Sequence, residues 1–286
     1  MLSLHTNNAA LSAQNSLTRT QNSLSTSMTR LSTGYRINSA ADDAAGLQIA
    51  SRLKAQSSGM TVAMRNTQNA TSMLQTADGA LDEVSNMLIR MKDLATQSAD
   101  ASSSADDRTA MQSEYDALGK ELGNVMRNTT FGGSPLLAGG TIASAMTFQI
   151  GASSGETMNV DLSAAMTTAV SGVSGVASTY APAGAAGSEI TTQGGANTTI
   201  DNLKDALASI NTVRSGLGAA ENRLSHVYNN LSNISTNTKA ATGLIMDVDF
   251  ATESSNMTSS QMLMQAGTAM LKQTNSMSSM VMSLLQ

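Results

Sequence analysis

Apolar residues at heptad spacing characterise the N-terminal segment of the chain. Leu17, Leu24 and Leu31 are seven residues apart, which predicts an amphipathic helix with a coiled-coil seam. The seam ends just before Gly34, and glycine readily adopts the left-handed conformation that closes many helices. A polar connector then leads to the next periodic segment.

The longest seam predicts one helix of about 55 residues, roughly 80 Å long at 1.5 Å per residue. A third helix is predicted from apolar residues spaced four and three apart, beginning with Met111, and Ser104 or Asp106 could cap it. The positions of the long seam are Leu53, Met60, Thr67, Leu74, Leu81, Leu88 and Ala95.

The pattern changes in the middle of the chain. The segment FGGSPLL (131–137) predicts a turn, and MTFQIGASSGETMNVDL (146–162) alternates as a β-hairpin does. From 163 to 199 the chain is mainly Ala, Gly, Ser and Thr with little periodicity. We therefore expect a loosely ordered surface excursion there.

Heptads return in the C-terminal third, where Leu203, Ile210, Leu217, Leu224 and Leu231 are seven apart. Because the two ends carry matching seams, we expect them to pair. The predicted fold class is mainly α: a long antiparallel coiled-coil helical bundle with one β-hairpin region. The last helix has two apolar tracks, one of Met257, Met264, Leu271 and Leu285, the other of Leu263, Met270, Met277 and Leu284.

Composition excludes several classes of protein. The chain has 286 residues without Cys or Trp, so no disulfide framework or thiolate metal site is available. The net charge of −5 with scattered basic residues argues against nucleic-acid binding. No run of 18 apolar residues occurs, which argues against a membrane span. The first residues lack a basic n-region and an apolar h-region, so we expect no cleaved signal peptide.

Adjacent carboxylates at Asp42 and Asp43 are the main candidate for catalysis. A general acid–base pair needs a pocket that separates its two pKa values, whereas these acids lie among small polar residues just before a helix. Asp at a helix start accepts hydrogen bonds from free N–H groups, so we favour a capping role. His5 and His226 show no metal-ligand spacing. We predict no enzymatic activity, catalytic residue, metal or cofactor.

Four long segments resemble one protein family, bacterial flagellin, the subunit of the flagellar filament. The resemblance extends over about the first 150 and last 90 residues. The segments are RLSTGYRINSAADDAAGLQIA (30–50), GALDEVSNMLIRMKDLATQSA (79–99), LGAAENRLSHVYNNLSN (217–233) and DVDFATESSNMTSSQMLMQAGTAMLKQ (247–273).

The resemblance implies a structural subunit that polymerises into an extracellular filament for swimming motility. A hook–filament junction protein of the same apparatus is the alternative, although such proteins usually carry Pro after the paired acids, where this chain has Ala44. In the family, paired termini form an inner domain that lines a channel, here 1–43 with 245–286. A helical domain with the hairpin would comprise 44–162 with 200–244. The excursion at 163–199 would replace absent or vestigial outer domains.

The resemblance also implies sites and partners. The connector residues Gly34, Asp42 and Asp43 would link the inner and outer tubes. Partners would be further copies of the chain, sibling flagellins, an export chaperone, cap and hook-junction proteins, and host flagellin receptors. Export would use the flagellar secretion apparatus. The residues expected at subunit packing are Leu17, Leu24, Leu31, Leu53, Leu74, Leu81, Leu88, Leu217, Leu224, Leu231, Met264 and Leu271.

Two further groups of surface residues are predicted. Arg90, Leu94 and Glu114 match the face at which the vertebrate flagellin-sensing Toll-like receptor docks, and residues 30–50 match a segment perceived by a plant receptor kinase. The flexible middle offers candidate O-glycosylation sites. These candidates are Ser171, Ser174, Thr192 and Thr198.

Overall fold

The computed structural model describes residues 7–181, 184 and 186–284, with side chains through Met277. His5 and Leu285, discussed above, lie outside the described residues. Over these residues the chain forms six α-helices and two small antiparallel sheets. The predicted fold class is confirmed, since α2 packs with α5 and α1 with α6. The helices are α1 (Asn8–Thr33), α2 (Ala44–Ser98), α3 (Ala105–Asn128), α4 (Ser163–Val176), α5 (Gln193–Met246) and α6 (Phe250–Leu284).

The chain divides into two compact units. One comprises residues up to 57 and from 236 onward, and the other comprises residues 58–235. This division falls within α2 and α5, whereas the sequence-based domain boundaries at 43/44 and 244/245 lie next to the connectors.

Facing seams of α2 and α5 build the core of the second unit. Leu74 and Leu81 of α2 and Leu217 and Leu224 of α5 are completely buried. The third helix adds Tyr115 and other apolar side chains to the same cluster. At its start, Ser104 Oγ accepts a hydrogen bond from Asp107 N–H, and the Asp107 side chain accepts one from Ser104 N–H. This capping box confirms Ser104 as the predicted cap.

Two short hairpins follow α3. Strands β1 (Thr130–Phe131) and β2 (Ser134–Pro135) pair through a turn at Gly132 and Gly133, whose φ angles are 58° and 85°. Two consecutive positive φ values favour glycine at both positions. Strands β3 (Met146–Gln149) and β4 (Thr157–Val160) pair antiparallel with Phe148 opposite Met158, which confirms the predicted hairpin.

The prediction of loose order over 163–199 is wrong for the described residues of this stretch. Helix α4 buries Met166, Ala169 and Val173 completely and leaves Val176 only 2% exposed. Gly172 lies so close to α5 that a Cβ there would be 3.4 Å from Ala206 Cα. The absence of a side chain at Gly172 therefore lets α4 approach α5 closely, and the buried Met and Val side chains of α4 supply the apolar packing.

Candidate assembly surface

Helices α1 and α6 form an antiparallel pair in the first unit. Asn7 Nδ2 donates to the Thr274 carbonyl at 3.4 Å, whereas Ser27 Oγ donates to Glu253 Oε1 at 2.5 Å. Between these contacts Gly267 faces Leu17, and a Cβ on Gly267 would lie 3.3 Å from Leu17 Cδ1. The pair is therefore held together by small side chains at close approach.

The interface of this pair is narrow. In α1 only Leu24 and Ser27 are buried. On α6 the first apolar track supplies the side facing α1, where Met257, Met264 and Leu271 are half-buried. Because so little apolar surface leaves water, packing within one chain gives the pair limited stability.

A polar group lies inside this narrow interface. Glu253 is only 7% exposed, and its Oε2 lies 3.7 Å from Arg30 Nη1. Arg30 Nε is buried without a hydrogen-bond partner among the described residues. An alignment of α1 and α6 shifted along the seam would separate these charges, and an unpaired buried charge is costly. The pair therefore favours a single register.

The second apolar track of α6 is exposed. Leu263, Met270 and Met277 are 61%, 62% and 57% exposed, and Met262 beside them is 60% exposed. Residues seven apart stay on one face of a helix, so these side chains form an exposed, mainly apolar strip, hereafter the α6 strip. Exposed Gln273 lies between Met270 and Met277. Gln265, Thr268 and Lys272 occupy the polar side of the helix. An exposed apolar strip of this kind marks an interaction surface.

The two adjacent carboxylates of the connector act on different segments. Asp43 Oδ1 accepts the Gly46 N–H at 2.8 Å and so caps α2. Asp42 Oδ2 instead accepts the N–H groups of Ser39 at 2.8 Å and Asn38 at 3.1 Å. The hydrogen bonds from Ser39 hold the pKa of Asp42 below its ordinary value. Both carboxylates are engaged in backbone hydrogen bonds, which is a structural arrangement and not that of an acid–base pair.

The connector is closed at its other end by Gly34. This residue has φ 75°, and its N–H donates to the Arg30 carbonyl at 2.9 Å. Between the two ends Ile37 is 1% exposed, and a Cβ on Gly46 would lie 2.7 Å from Ile37 Cδ1. Ile37 therefore anchors the connector against the first turn of α2.

Backbone hydrogen bonds tie this connector to the one between α5 and α6. Arg36 N–H donates to the Met246 carbonyl at 2.6 Å, and Val248 N–H donates to the Gly34 carbonyl at 3.0 Å. Arg36 Nη2 adds a bond of 2.8 Å to the Ile245 carbonyl. Leu244 nearby in sequence is 86% exposed, so apolar surface is also present near this junction.

The structure separates the predicted packing residues into two groups. Those in the terminal helices and at the start of α2 are half-buried, except Leu24, which is buried. The remaining ones are buried within the chain's own core. These residues are Leu74, Leu81, Leu88, Leu217, Leu224 and Leu231, none more than 8% exposed.

Two of the three predicted receptor-facing residues lie on the surface. Arg90 Nη2 contacts Glu114 Oε1 at 2.6 Å, with both side chains about half exposed. Leu94 is only 3% exposed and belongs to the core. The expectation that Leu94 faces this surface therefore does not hold, because its side chain is buried.

The four candidate glycosylation residues are all exposed. Ser171 and Ser174 lie on α4, Thr198 lies in the first turns of α5, and Thr192 precedes that helix. Thr192 Oγ1 accepts the Gly195 N–H at 3.2 Å. These hydroxyls therefore sit on ordered backbone and not in a flexible loop.

Sequence reasoning missed two polar groups of the second unit. Arg214 of α5 contacts Asp78 and Asp82 of α2 at 2.9 Å each. Glu189 receives hydrogen bonds from Ser178 N–H at 2.7 Å and from Gln112 Nε2 at 2.7 Å. The i, i+4 spacing of the two Asp residues could have indicated a basic partner, but no pattern places Arg214 opposite them.

The described residues offer neither a metal cluster nor a membrane-spanning helix. Within the described ranges, no group of three or more His, Cys, Asp or Glu side chains could hold a metal ion. Among the helices that the structure describes, none has the length and hydrophobicity of a membrane span. The α6 strip, with the connector junction, is therefore the strongest candidate for a functional surface on the described part of the chain.

Comparison with protein families gives two matches. Residues 4–141 match the bacterial flagellin N-terminal helical region, and residues 200–285 match the bacterial flagellin C-terminal helical region. Flagellin A of Vibrio anguillarum is 35% identical over 381 aligned positions, which cover 100% of both chains. A flagellin of Halalkalibacterium halodurans is 36% identical over 283 positions, which cover 99% of both chains.

Solved structures were compared as well. A flagellar hook-associated protein of Vibrio parahaemolyticus is 16% identical, with a TM-score of 0.55, over 72% of this chain and 99% of that chain. That likeness concerns the fold alone. The crystal structure of Bacillus cereus flagellin is 32% identical, with a TM-score of 0.49, over 62% of this chain and 94% of that chain.

Proposed function

Because the chain belongs to the bacterial flagellin family and is a flagellar filament subunit, we propose that it polymerises through the α6 strip. The protein is a structural, non-enzymatic component of the extracellular flagellum. The alignment with Vibrio anguillarum flagellin A spans 381 positions against 286 residues here, so this is a short form of the family.

Exposure of the α6 strip is the observation that carries the proposal. A Leu or Met side chain contributes about 1.5–3 kcal/mol when fully buried. The four side chains of the strip are 57–62% exposed, so burying the exposed part of each would contribute roughly 1–2 kcal/mol of hydrophobic free energy. Contact with a neighbouring copy would bury these side chains. When the strip of one copy binds a different patch on the next copy and the arrangement does not close into a ring, repetition of this contact gives an open helical filament.

We extend the proposal to the roles of the two units. The terminal helices would form the inner part of the filament. The second unit would stay folded outside the filament as well, since its own core includes the fully buried Leu74, Leu217 and Leu224.

Specific partners belong to the same proposal. Sibling flagellins would use the same terminal helices, and cap and hook-junction proteins would meet the ends of the polymer. An export chaperone would cover the α6 strip until assembly, since an uncovered apolar strip promotes association. Export would proceed through the flagellar secretion apparatus. A hook–filament junction role, the alternative, is less well supported, because the relatives at 35% and 36% identity are flagellins.

Host recognition and modification complete the proposal. Arg90 and Glu114, exposed and paired, would contribute to a receptor-facing surface, with Leu94 supporting it from below. The exposed hydroxyls of Ser171, Ser174, Thr192 and Thr198 would accept O-linked glycans. The intact mass of protein isolated from filaments tests this, because a mass equal to that of the bare 29.4 kDa chain contradicts modification in that source.

A polymerisation assay tests the central proposal. Purified full-length chain carrying Met270→Gln is compared with Thr268→Gln, which places the same residue on the polar side of α6. We expect the first variant to need about tenfold more protein to form filaments in electron micrographs. The second should assemble as the unmodified chain does. Equal assembly of both variants would show that the α6 strip is not the contact.

A further inference from the structure

Methionine is distributed unevenly between two environments. The chain has 20 Met residues, and Met91, Met126 and Met166 are fully buried in the second unit. By contrast, Met262, Met270 and Met277 of the α6 strip are 60%, 62% and 57% exposed. Leu263 in the same strip shows that a residue without sulfur also fits this surface. Packing alone therefore does not require sulfur at these positions, and the exposed thioethers add a group that an oxidant can reach.

We propose that Met262, Met270 and Met277 form a reversible oxidation site that controls assembly. The inference rests on the α6 strip being the assembly contact. In the reaction, the thioether sulfur attacks one peroxide oxygen of hydrogen peroxide and the O–O bond breaks. The sulfur gains one oxygen and becomes the sulfoxide, while the other oxygen leaves as water. The peroxide is thereby reduced, and the methionine is oxidised by two electrons.

The physical effect follows from the change in polarity. A sulfoxide is a strong hydrogen-bond acceptor, and burying such a group without a partner is unfavourable. The four side chains of the strip are apolar, with Gln273 beside two of them, and Gln265 and Lys272 lie on another side of α6. A neighbouring copy packed on the strip would therefore enclose sulfoxides among mainly apolar groups. Assembly should fail until the sulfoxides are reduced.

Selectivity among the methionines follows from burial. Oxidant must reach the sulfur atom, and the fully buried Met91, Met126 and Met166 lie in a close-packed core. The exposed residues should react first while the second unit stays folded. Oxidation would thus change the assembly surface without unfolding the subunit.

The first experiment uses the full-length monomer and dilute hydrogen peroxide. Peptide mass mapping should show Met262, Met270 and Met277 oxidised about tenfold faster than the three buried residues. The lowest protein concentration that gives filaments should rise by about tenfold or more. Treatment with methionine sulfoxide reductases should restore it. Oxidation of the three sites with unchanged assembly would overturn the inference.

A matched pair of variants locates the effect. The triple variant Met262→Leu, Met270→Leu and Met277→Leu preserves an apolar strip and should assemble normally with or without peroxide. Met28→Leu removes a thioether on α1 that is 47% exposed, and its assembly should remain sensitive to peroxide. Equal sensitivity of the triple variant would also overturn the inference.

Failure of this inference can be distinguished from failure of the proposed function. Met270→Gln tests the contact without any oxidant, so an assembly defect there together with insensitivity to oxidation overturns only the oxidation site. If the triple leucine variant fails to assemble, the test uses the chain without substitutions after oxidation and treatment with the reductases. Restored filament formation supports the oxidation site, and no restoration contradicts it.

Discussion

Replacing Leu224 with Ala tests the central packing of the second unit. Leu224 is fully buried in α5, whereas Leu244 of the same helix is 86% exposed. The same Leu→Ala change therefore removes the same atoms from the buried core at one position and from the solvent-exposed surface at the other. Alanine is at least as favourable as leucine in a helix, so backbone preference does not destabilise either variant. The difference between the two variants in the free energy of unfolding therefore measures the contribution of burying the leucine side chain.

The magnitude follows from cavity formation. Leu→Ala in a close-packed core costs about 2.7–5 kcal/mol of the free energy of unfolding, against a total of about 5–15 kcal/mol for a domain. At 2–4 °C per kcal/mol for a protein of this size, the midpoint of the second unit should fall by roughly 5–20 °C. Leu244→Ala should change the free energy by less than about 0.5 kcal/mol.

Unfolding of the monomer, followed by far-UV circular dichroism during heating and in urea, measures both variants. Filament formation is excluded by low protein concentration, so contacts between copies do not contribute. Two separate transitions are compatible with the two compact units, and only the transition of the second unit should shift. Similar shifts for Leu224→Ala and Leu244→Ala would mean that the assignment of the α5 seam to the core is wrong.

Three further predictions concern polar groups. Asp43→Ala removes the cap of α2 and should lower stability by about 0.5–2 kcal/mol, measured by urea unfolding; no change would contradict the capping role. Hydrogen bonds from Ser104 lower the pKa of the Asp107 carboxyl from its ordinary value of 3.8. The charged carboxylate therefore stabilises the folded state above that pH, and this stabilisation is lost as the pH falls below it. The stability of Asp107→Asn should decrease less steeply in this acid range, and an acid unfolding profile identical to that of the unmodified chain would refute this. Glu253→Ala leaves Arg30 without its partner, so trypsin should cleave the α1–α6 pair faster than in the unmodified chain, and equal cleavage would show that the ion pair is unimportant.

Helices and hairpins could be predicted because their signals are local. The heptads of α2 and α5 and the alternation around 146–162 depend on residues close in sequence, and the observed elements agree with them. The helix α4 was missed although Met166, Ala169, Val173 and Val176 are spaced three, four and three apart. The Ala, Gly, Ser and Thr residues around them hid this short pattern, although the four side chains are buried in the structure.

A heptad seam also cannot identify the partner that covers it. Leu224 and Leu271 occupy similar positions in their patterns, yet Leu224 is buried within its own unit and Leu271 is half-buried against α1. On α6 the two tracks look equivalent in sequence, and only packing against α1 distinguishes the covered one from the exposed one. Leu94 illustrates the same limit, since a residue match does not determine which side of the helix faces solvent.

The tie between the two connectors has a mechanical consequence. A single extended chain between two helices can rotate about its own bonds and so act as a swivel. Here two antiparallel segments lie side by side, joined by Arg36 N–H to Met246 O and by Val248 N–H to Gly34 O. Twisting one segment relative to the other shears these bonds, whereas bending across both leaves them intact. We therefore expect the junction to resist twisting more strongly than bending.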